Sequence, residues 1–258
     1  MNREVERSMC RLLKPWLSGI LFLEFLCAAT GAAETGWQRL PPQTLARMMA
    51  EGKRPLLVNT MSEIECRDHS IAGSLCIPTE EFEERIGEMV PDKGLMLVLY
   101  CESEASRKSR EAADMASRQG YQDVRVLEGG MPAWKIAGYQ TVSVERIPRR
   151  AVPSMKPPAL RNRMVDNQDS LLVDIRSEKE FRKEHIEGAV NLPMYQMHRR
   201  WRELPFDRPL ILVDSRGFRS PLAASYLIAK GYTVERLFGG MASWKAMPPK
   251  EKTKTRRP

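Results

Sequence analysis

Five cysteines and three histidines hold most of the nucleophilic and ligating chemistry available to this chain of 258 residues. Cys10 and Cys27 fall within the first 33 residues, and Cys66, Cys76 and Cys101 in the body of the chain. No pair has Cys-x-x-Cys spacing, and His69, His185 and His198 are scattered, so a zinc site is not expected. If the first 33 residues are removed, three cysteines remain, and an odd number leaves at least one thiol free or intermolecular. Cys101 has the most informative surroundings. It follows an apolar run over 95–100 and opens a polar loop, Glu102-Ser103-Glu104-Ala105-Ser106-Arg107, ahead of a helical pattern over 108–119. Arg107 could hold an anion bidentately. Taken alone, Cys101 reads as a small buried residue at a strand end. The rest of the chain reverses that reading.

An internal repeat supplies the frame. Leu56-Leu57-Val58-Asn59-Thr60 corresponds to Leu171-Leu172-Val173-Asp174-Ile175, and Ser70-Ile71-Ala72-Gly73-Ser74 to His185-Ile186-Glu187-Gly188-Ala189, both at an offset of 115 residues. Leu127-Glu128-Gly129-Gly130-Met131 through Trp134-Lys135 corresponds to Leu237-Phe238-Gly239-Gly240-Met241 through Trp244-Lys245 at an offset of 110. A period of this length is a domain, not a solenoid unit. Each copy shows an amphipathic helix (42–51; 158–165), an apolar strand (55–58; 171–175) and a polar helix (62–67; 177–184). A short strand ending at proline follows (75–78; 190–193), then a second apolar strand (95–100; 210–213), a helix (108–119; 221–230) and a last strand (124–127; 234–237) running into the Gly-Gly turn. Short apolar strands alternating with helices predict an α/β fold, each copy a parallel sheet flanked by helices on both faces. The predicted boundaries are 38–141 for the first domain, 142–155 for a basic, proline-bearing linker, 156–248 for the second domain and 249–258 for a basic tail.

Both copies resemble the rhodanese-like domain, and the resemblance covers nearly everything from Leu40 to Met247. The second copy carries Asp174-Ile175-Arg176 (Asp-x-Arg after the first core strand), His185-Ile186-Glu187-Gly188-Ala189 (His-Ile-x-Gly-Ala) and Gly239-Gly240-Met241 with Trp244 (Gly-Gly-x-x-x-Trp). The resemblance implies a catalytic cysteine at the end of the central strand, opening a loop whose backbone N–H groups point inward ahead of a helix. Oriented amides and a helix start stabilise a thiolate, whose ordinary pKa is about 8.5. That thiolate attacks the outer sulfur of a donor such as thiosulfate, and a second nucleophile removes the sulfur from the persulfide. Cys101 fits the position, which implies catalysis at Cys101 with Glu102, Ser103, Glu104, Ala105, Ser106 and Arg107 as the substrate-binding loop. No metal or organic cofactor is needed. Cys66 could resolve a persulfide as a disulfide, whereas Cys76, on an expected buried strand, reads as inert.

The copies depart from the family pattern in different ways. The second loop, Asp214-Ser215-Arg216-Gly217-Phe218-Arg219, has a carboxylate at the cysteine position, so the second domain is expected to be inactive and to pack against the first or bind a partner. The first copy has Asn59 and Met61 in place of Asp and Arg, Ser70 in place of His, no central glycine in the loop, and Arg107 one position late. Cysteine, five residues, then arginine is also the spacing of cysteine phosphatases, so a phosphatase or arsenate reductase-like oxyanion enzyme stands as an alternative. A non-catalytic binding or sulfur-relay module is another. His69 and His185, and Trp134 and Trp244, read as structural.

The N-terminus suggests export. Arg3, Arg7, Arg11 and Lys14 precede an apolar run over 16–29, with Gly31-Ala32-Ala33 as a cleavage site before Glu34. The expected location is periplasmic; the alternative is an uncleaved N-terminal anchor, the only membrane contact foreseen. A net charge of +8 gathers partly in the linker and tail, without stacking aromatics interleaved, which argues against nucleic acid. The partners expected are a small sulfur-containing anion and a protein sulfur acceptor.

Overall fold

The apolar runs of the first copy become β2 (Leu56–Asn59), β4 (Met96–Tyr100) and β5 (Asp123–Leu127), joined by two short edge strands, β1 (Gln38–Leu40) and β3 (Leu75–Cys76). They form one sheet in the order β1-β5-β4-β2-β3 with every pairing parallel. The second copy repeats the plan with β6 (Ser154–Met155), β7 (Leu171–Asp174), β8 (Val190–Asn191), β9 (Leu210–Val213) and β10 (Val234–Leu237), in the order β6-β10-β9-β7-β8, again all parallel. The computed structural model describes residues 36–166 and 169–248; the expected leader and the basic tail lie outside them. Among the described residues no helix is long and apolar enough to cross a membrane.

Parallel strands require crossovers, and the crossover helices cover both faces of each sheet. Along β4 the side chains alternate. Leu97 and Leu99 face α3 (Phe82–Met89) and α4 (Lys108–Arg118), where Phe82, Ile86, Ala112, Ala113 and Ala116 are fully buried. Val98 and Tyr100 face α1 (Pro42–Ala50) and α5 (Gly130–Ile136), packing with Leu45, Met48, Met131 and Trp134. Alanines on α4 let the helix lie close to the central strand that carries Cys101. The second domain has the same two layers, around Leu210 and Leu212 on one face and Ile211 and Val213 on the other.

The helix after the first core strand starts with the same device in both copies. In α2 (Glu63–Asp68) the Glu65 carboxylate accepts from the Ser62 N–H at 3.0 Å, and in α7 (Glu178–Lys183) Glu180 accepts from the Ser177 N–H at 3.3 Å. These capping boxes satisfy donors that a helix start would otherwise leave open.

The two domains are continuous in their packing. Ile64 of α2 is buried within the core cluster of the second sheet, beside α8 (Met197–Arg200). Glu63 pairs with Arg199 at 3.5 Å and Glu65 with Arg219 at 3.4 Å. The basic, proline-bearing linker is held down. Val144 and Glu145 N–H groups donate to the Arg67 carbonyl at 2.9 and 3.0 Å, Ile147 N–H donates to Asp68 at 2.8 Å, and Arg149 pairs with Asp68 at 2.8 Å. Burial raises the Asp68 carboxyl, but the Ile147 N–H, His69 and Arg149 outweigh it and hold the group below its ordinary value. Burial pushes His69 down despite that neighbour, whose carboxylate lies 2.9 Å from the His69 Nδ1.

Candidate active site

Cys101 sits where β4 ends. Its side chain is buried, its carbonyl accepts from the Met131 N–H at 2.9 Å, and Gly130 lies against it. A Cβ on Gly130 would stand 2.6 Å from that carbonyl oxygen, and the residue has φ +58°, so both space and backbone demand glycine there. The second Gly-Gly turn packs on the Asp214 carbonyl in the same way, with Met241 N–H donating to it at 2.8 Å. The turn thus exists to let a helix start directly on the strand end that bears the key residue.

The two loops use their backbone amides differently. In the second domain the Asp214 carboxylate accepts N–H bonds from Arg219 at 2.8 Å, from Ser220 at 2.7 Å and from Gly217. That is an anion cradle filled by the chain's own carboxylate. In the first domain, among the described residues, no loop N–H donates to the Cys101 sulfur. Ser106 N–H donates to the Ser103 carbonyl and hydroxyl at 3.2 and 3.1 Å. The Cys101 thiol donates to the Ser103 carbonyl at 3.3 Å and lies 3.1 Å from the Ser109 hydroxyl in the first turn of α4. A carbonyl can accept from a thiol but has nothing to offer a thiolate, whereas the Ser109 hydroxyl can donate to one. The loop is therefore in a resting arrangement suited to the protonated sulfur.

The side chains of the loop go to three places. Ser103, Glu104 and Ser106 line a small pocket at Cys101, together with Trp37, Arg39, Ser109, Arg110 and Gly130. This pocket has a volume of about 10 Å³, the room of one water. Glu102 lines a separate cavity of about 320 Å³ between the domains, with Glu65, His69, Arg149, Phe218 and Arg219. Arg107 is 80% exposed and faces Glu111 at 3.6 Å, and Ala105 is exposed at the loop tip. Of the six loop residues assigned to substrate, the structure brings three to the Cys101 pocket and leaves Glu102, Ala105 and Arg107 outside it. Arg107 is the N-cap of α4, and Arg219 is likewise the N-cap of the helix Ser220–Ala229, but Arg107 stays in solvent whereas Arg219 packs against Glu65 at 3.4 Å.

Two other basic residues line the Cys101 pocket. Arg39 on β1 reaches Glu104 at 3.4 Å, and Arg110 on α4 donates to the Glu104 and Ser106 carbonyls at 3.5 and 3.4 Å. Arg39 could not be found from the sequence because its three-residue edge strand has no apolar run. Arg110 had one weak signal, its place one helical turn after Arg107.

The family's Asp-x-Arg and its replacement solve one problem in two ways. Arg176 forms a buried bidentate pair with Asp174, at 3.0 and 2.6 Å, and also donates to the Glu184 carbonyl at 2.7 Å. In the first copy Asn59 instead accepts from the Met61 N–H at 3.1 Å and donates to Ser70 at 2.9 Å, while Met61 is fully buried. Cys66 and Cys76 form a disulfide with a Cα–Cα distance of 6.1 Å, leaving Cys101 as the free thiol among the described residues. This corrects the sequence expectation for both: Cys76 is partly exposed and bonded rather than buried and inert, and Cys66, held in the disulfide, is not a resolving thiol in this state. Among the described residues no group of three His, Cys, Asp or Glu side chains could hold a metal ion.

The family model for the rhodanese-like domain matches residues 41–137 and 157–247. A sulfurtransferase of Allochromatium vinosum is 39% identical over 87 residues, covering 33% of this chain and 81% of that protein. A thiosulfate sulfurtransferase of Pseudomonas syringae is 32% identical over 103 residues, 40% of this chain and 92% of that protein. A solved thiosulfate sulfurtransferase from Pseudomonas aeruginosa is similar with a TM-score of 0.40 and 17% identity, over 81% of this chain and 42% of that one.

Proposed function

The chain belongs to the rhodanese-like domain family, with two copies of that domain, and is a sulfurtransferase of that family; we propose that it carries sulfur as a persulfide on Cys101. The observation that carries this reading is the placement of a free, buried thiol at the end of the central strand, beside the Ser109 hydroxyl and a pocket lined by Arg39 and Arg110.

Deprotonation of Cys101 removes its hydrogen bond to the Ser103 carbonyl and frees the loop to turn. The thiolate attacks the outer sulfur of thiosulfate or a related sulfane donor. A new S–S bond forms at Cys101, the donor's S–S bond breaks, and sulfite leaves with the electron pair. An acceptor nucleophile such as cyanide then takes the terminal sulfur, releasing thiocyanate and restoring the thiolate. The second domain has no sulfur nucleophile at Asp214, and its role in this proposal is to brace the first through Glu65 and Glu63. Export is part of the proposal. It is motivated by the leader pattern and by the Cys66–Cys76 disulfide, a bond usual in oxidising compartments.

The test is thiocyanate formation from thiosulfate and cyanide by the full chain and by Cys101→Ser, with mass spectrometry for a gain of one sulfur on the Cys101 peptide. Turnover and persulfide that vanish in the variant support the reading. Turnover that survives overturns it. The small pocket favours one second reading, a relay that accepts sulfur from a protein. That reading predicts no turnover of thiosulfate but a persulfide on Cys101 when a persulfidated protein is the donor.

A further inference from the structure

Glu104 occupies an unusual position for an exposed carboxylate. One oxygen accepts from the Gly129 N–H at 2.7 Å and the other faces Arg39 at 3.4 Å, while the residue itself lines the pocket at Cys101. Arg110 lines the same pocket, turned back onto the Glu104 and Ser106 carbonyls. A carboxylate held between a cationic side chain and a backbone amide, next to a nucleophile, is an anion already in place. We propose that Arg39 and Arg110 select the anionic sulfur donor, and that Glu104 is the chain's own competitor for that position. The identity of the ligand as a sulfane-sulfur anion rests on the sulfurtransferase reading; the selection of a negative charge does not.

The reasoning is electrostatic and steric together. A donor anion must approach Cys101 through a pocket that now holds about one water. Swinging Glu104 outward opens the rim and releases the Gly129 N–H and Arg39 at the same moment. The incoming anion then meets two guanidinium groups, which can bind oxyanions bidentately. Arg107 takes no part, because it faces Glu111 in solvent. Neutral sulfur compounds gain nothing from the exchange, so the site discriminates by charge.

Charge-selective alkylation of Cys101 tests this without any sulfur chemistry. The full chain is treated with iodoacetate or iodoacetamide, and the rate is read on the Cys101 peptide by mass spectrometry. The ratio of the two rates cancels changes in loop opening and in thiol reactivity. Arg39→Gln and Arg110→Gln should each lower the iodoacetate to iodoacetamide ratio about two- to fivefold, the range of partly exposed charge pairs, and Glu104→Gln should raise it by a similar factor. Arg107→Gln should change it by less than either. These side chains are at the surface, and circular dichroism checks that each variant is folded. Ratios unmoved in both Arg39→Gln and Arg110→Gln, or a fall in Arg107→Gln as large as theirs, overturn the proposal. Thiocyanate assays run alongside separate the two ideas: there, Arg39→Gln should raise the KM for thiosulfate and leave kcat unchanged. A silent wild type with the expected ratio shifts removes thiosulfate as the donor and keeps the anion site. Turnover in a wild type whose ratios do not respond to Arg39 and Arg110 does the reverse.

Discussion

Replacing Asp214 by asparagine should be one of the costlier single-atom changes in this molecule. The side chain is buried, and its two carboxylate oxygens accept from three backbone N–H groups, those of Gly217, Arg219 and Ser220. Hydrogen bonds to a charged acceptor contribute about 1.5–3 kcal/mol each, and a buried donor left without a partner costs about 1–3 kcal/mol. Asparagine keeps one oxygen. If it faces Arg219 and Ser220, the Gly217 N–H meets an amide NH2 and is orphaned, and the other two bonds lose their charge. The expected loss is about 2–4 kcal/mol. For a cooperatively unfolding body of this size that lowers Tm by about 5–15 °C. Thermal melts should be paired with amide hydrogen exchange on the 214–220 segment, where Asp214→Asn should speed exchange far more than elsewhere. A variant that melts within about 2 °C of the parent, with unchanged exchange in the loop, would refute the view that the carboxylate fills an anion cradle. Asp214→Cys extends the logic. A thiolate placed there meets three N–H donors, so it should react with iodoacetamide at a lower pH than Cys101 does in the resting loop.

Three further outcomes follow from the same geometry. Cys66 and Cys76 close a loop of sequence separation 10, so mutating both to serine should cost about 2.5–3 kcal/mol on the loop-entropy account, read as a lower urea midpoint with an unchanged fold by circular dichroism. Gly130→Ala forces a Cβ against the Cys101 carbonyl at a positive φ; it should destabilise by about 2–4 kcal/mol and slow Cys101 alkylation, and a neutral effect would show that the Gly-Gly turn is not tied to the strand end. Burial tends to raise Glu65, but Arg219, Lys108 and Ser62 together hold it below 4.5, and Asp68 is held below 3.8. The stability these carboxylates contribute is complete above their ordinary values and is lost as pH falls through the lower folded ones; His69, pushed down by burial, adds a loss that begins below 6.5. Urea midpoints should therefore fall on acidification, and Glu65→Gln should flatten the part below about pH 4.5. An unchanged slope would remove Glu65 from the account.

The fold was legible because its determinants are local and stated twice. Apolar runs of four or five residues, a glycine pair after the last strand and a proline after the short one mark the same positions in both copies, and one copy could be used to interpret the other. What stayed hidden has physical causes. β1 has only Leu40 buried out of three residues, so it carries no periodic signal, and Arg39 was invisible with it. Helix α3 lies in the stretch between the short strand and the central strand, where charged residues outnumber the two buried ones, Phe82 and Ile86. The pairing of Cys66 with Cys76 depends on β3 lying beside β2, a tertiary fact. Cys101 was found by its place at a strand end, but which loop side chains face it is decided by tertiary partners: Arg107 and Arg219 both cap the helix that follows, yet Arg219 is drawn to Glu65 of the other domain while Arg107 faces Glu111 in solvent.

The extra residue of the first loop yields the most discriminating comparison between the copies. Both loops leave a central parallel strand and enter a helix over a Gly-Gly turn, yet only in the second, among the described residues, do loop amides donate to the strand-end side chain. Two differences could be responsible: the carboxylate that draws the amides, or the loop length and its glycine at position 217, which has φ +84° and packs on Gly239. Deleting Ala105 separates them. It is exposed at the loop tip, so removal disturbs no core contact, and it brings Arg107 to the sixth position of the loop. If length withholds the amides, the shortened loop should turn them toward Cys101, break the bond to the Ser103 carbonyl and accelerate alkylation below neutral pH. If the sulfur must be charged before the amides turn, alkylation in the deletion variant should match the parent at every pH. In that case the thiolate, or the donor anion admitted by Arg39 and Arg110, organises the loop, just as Asp214 holds its counterpart. A slower reaction together with a lowered Tm would sink the length argument, since it would show that the seven-residue loop is the relaxed solution for this strand and helix.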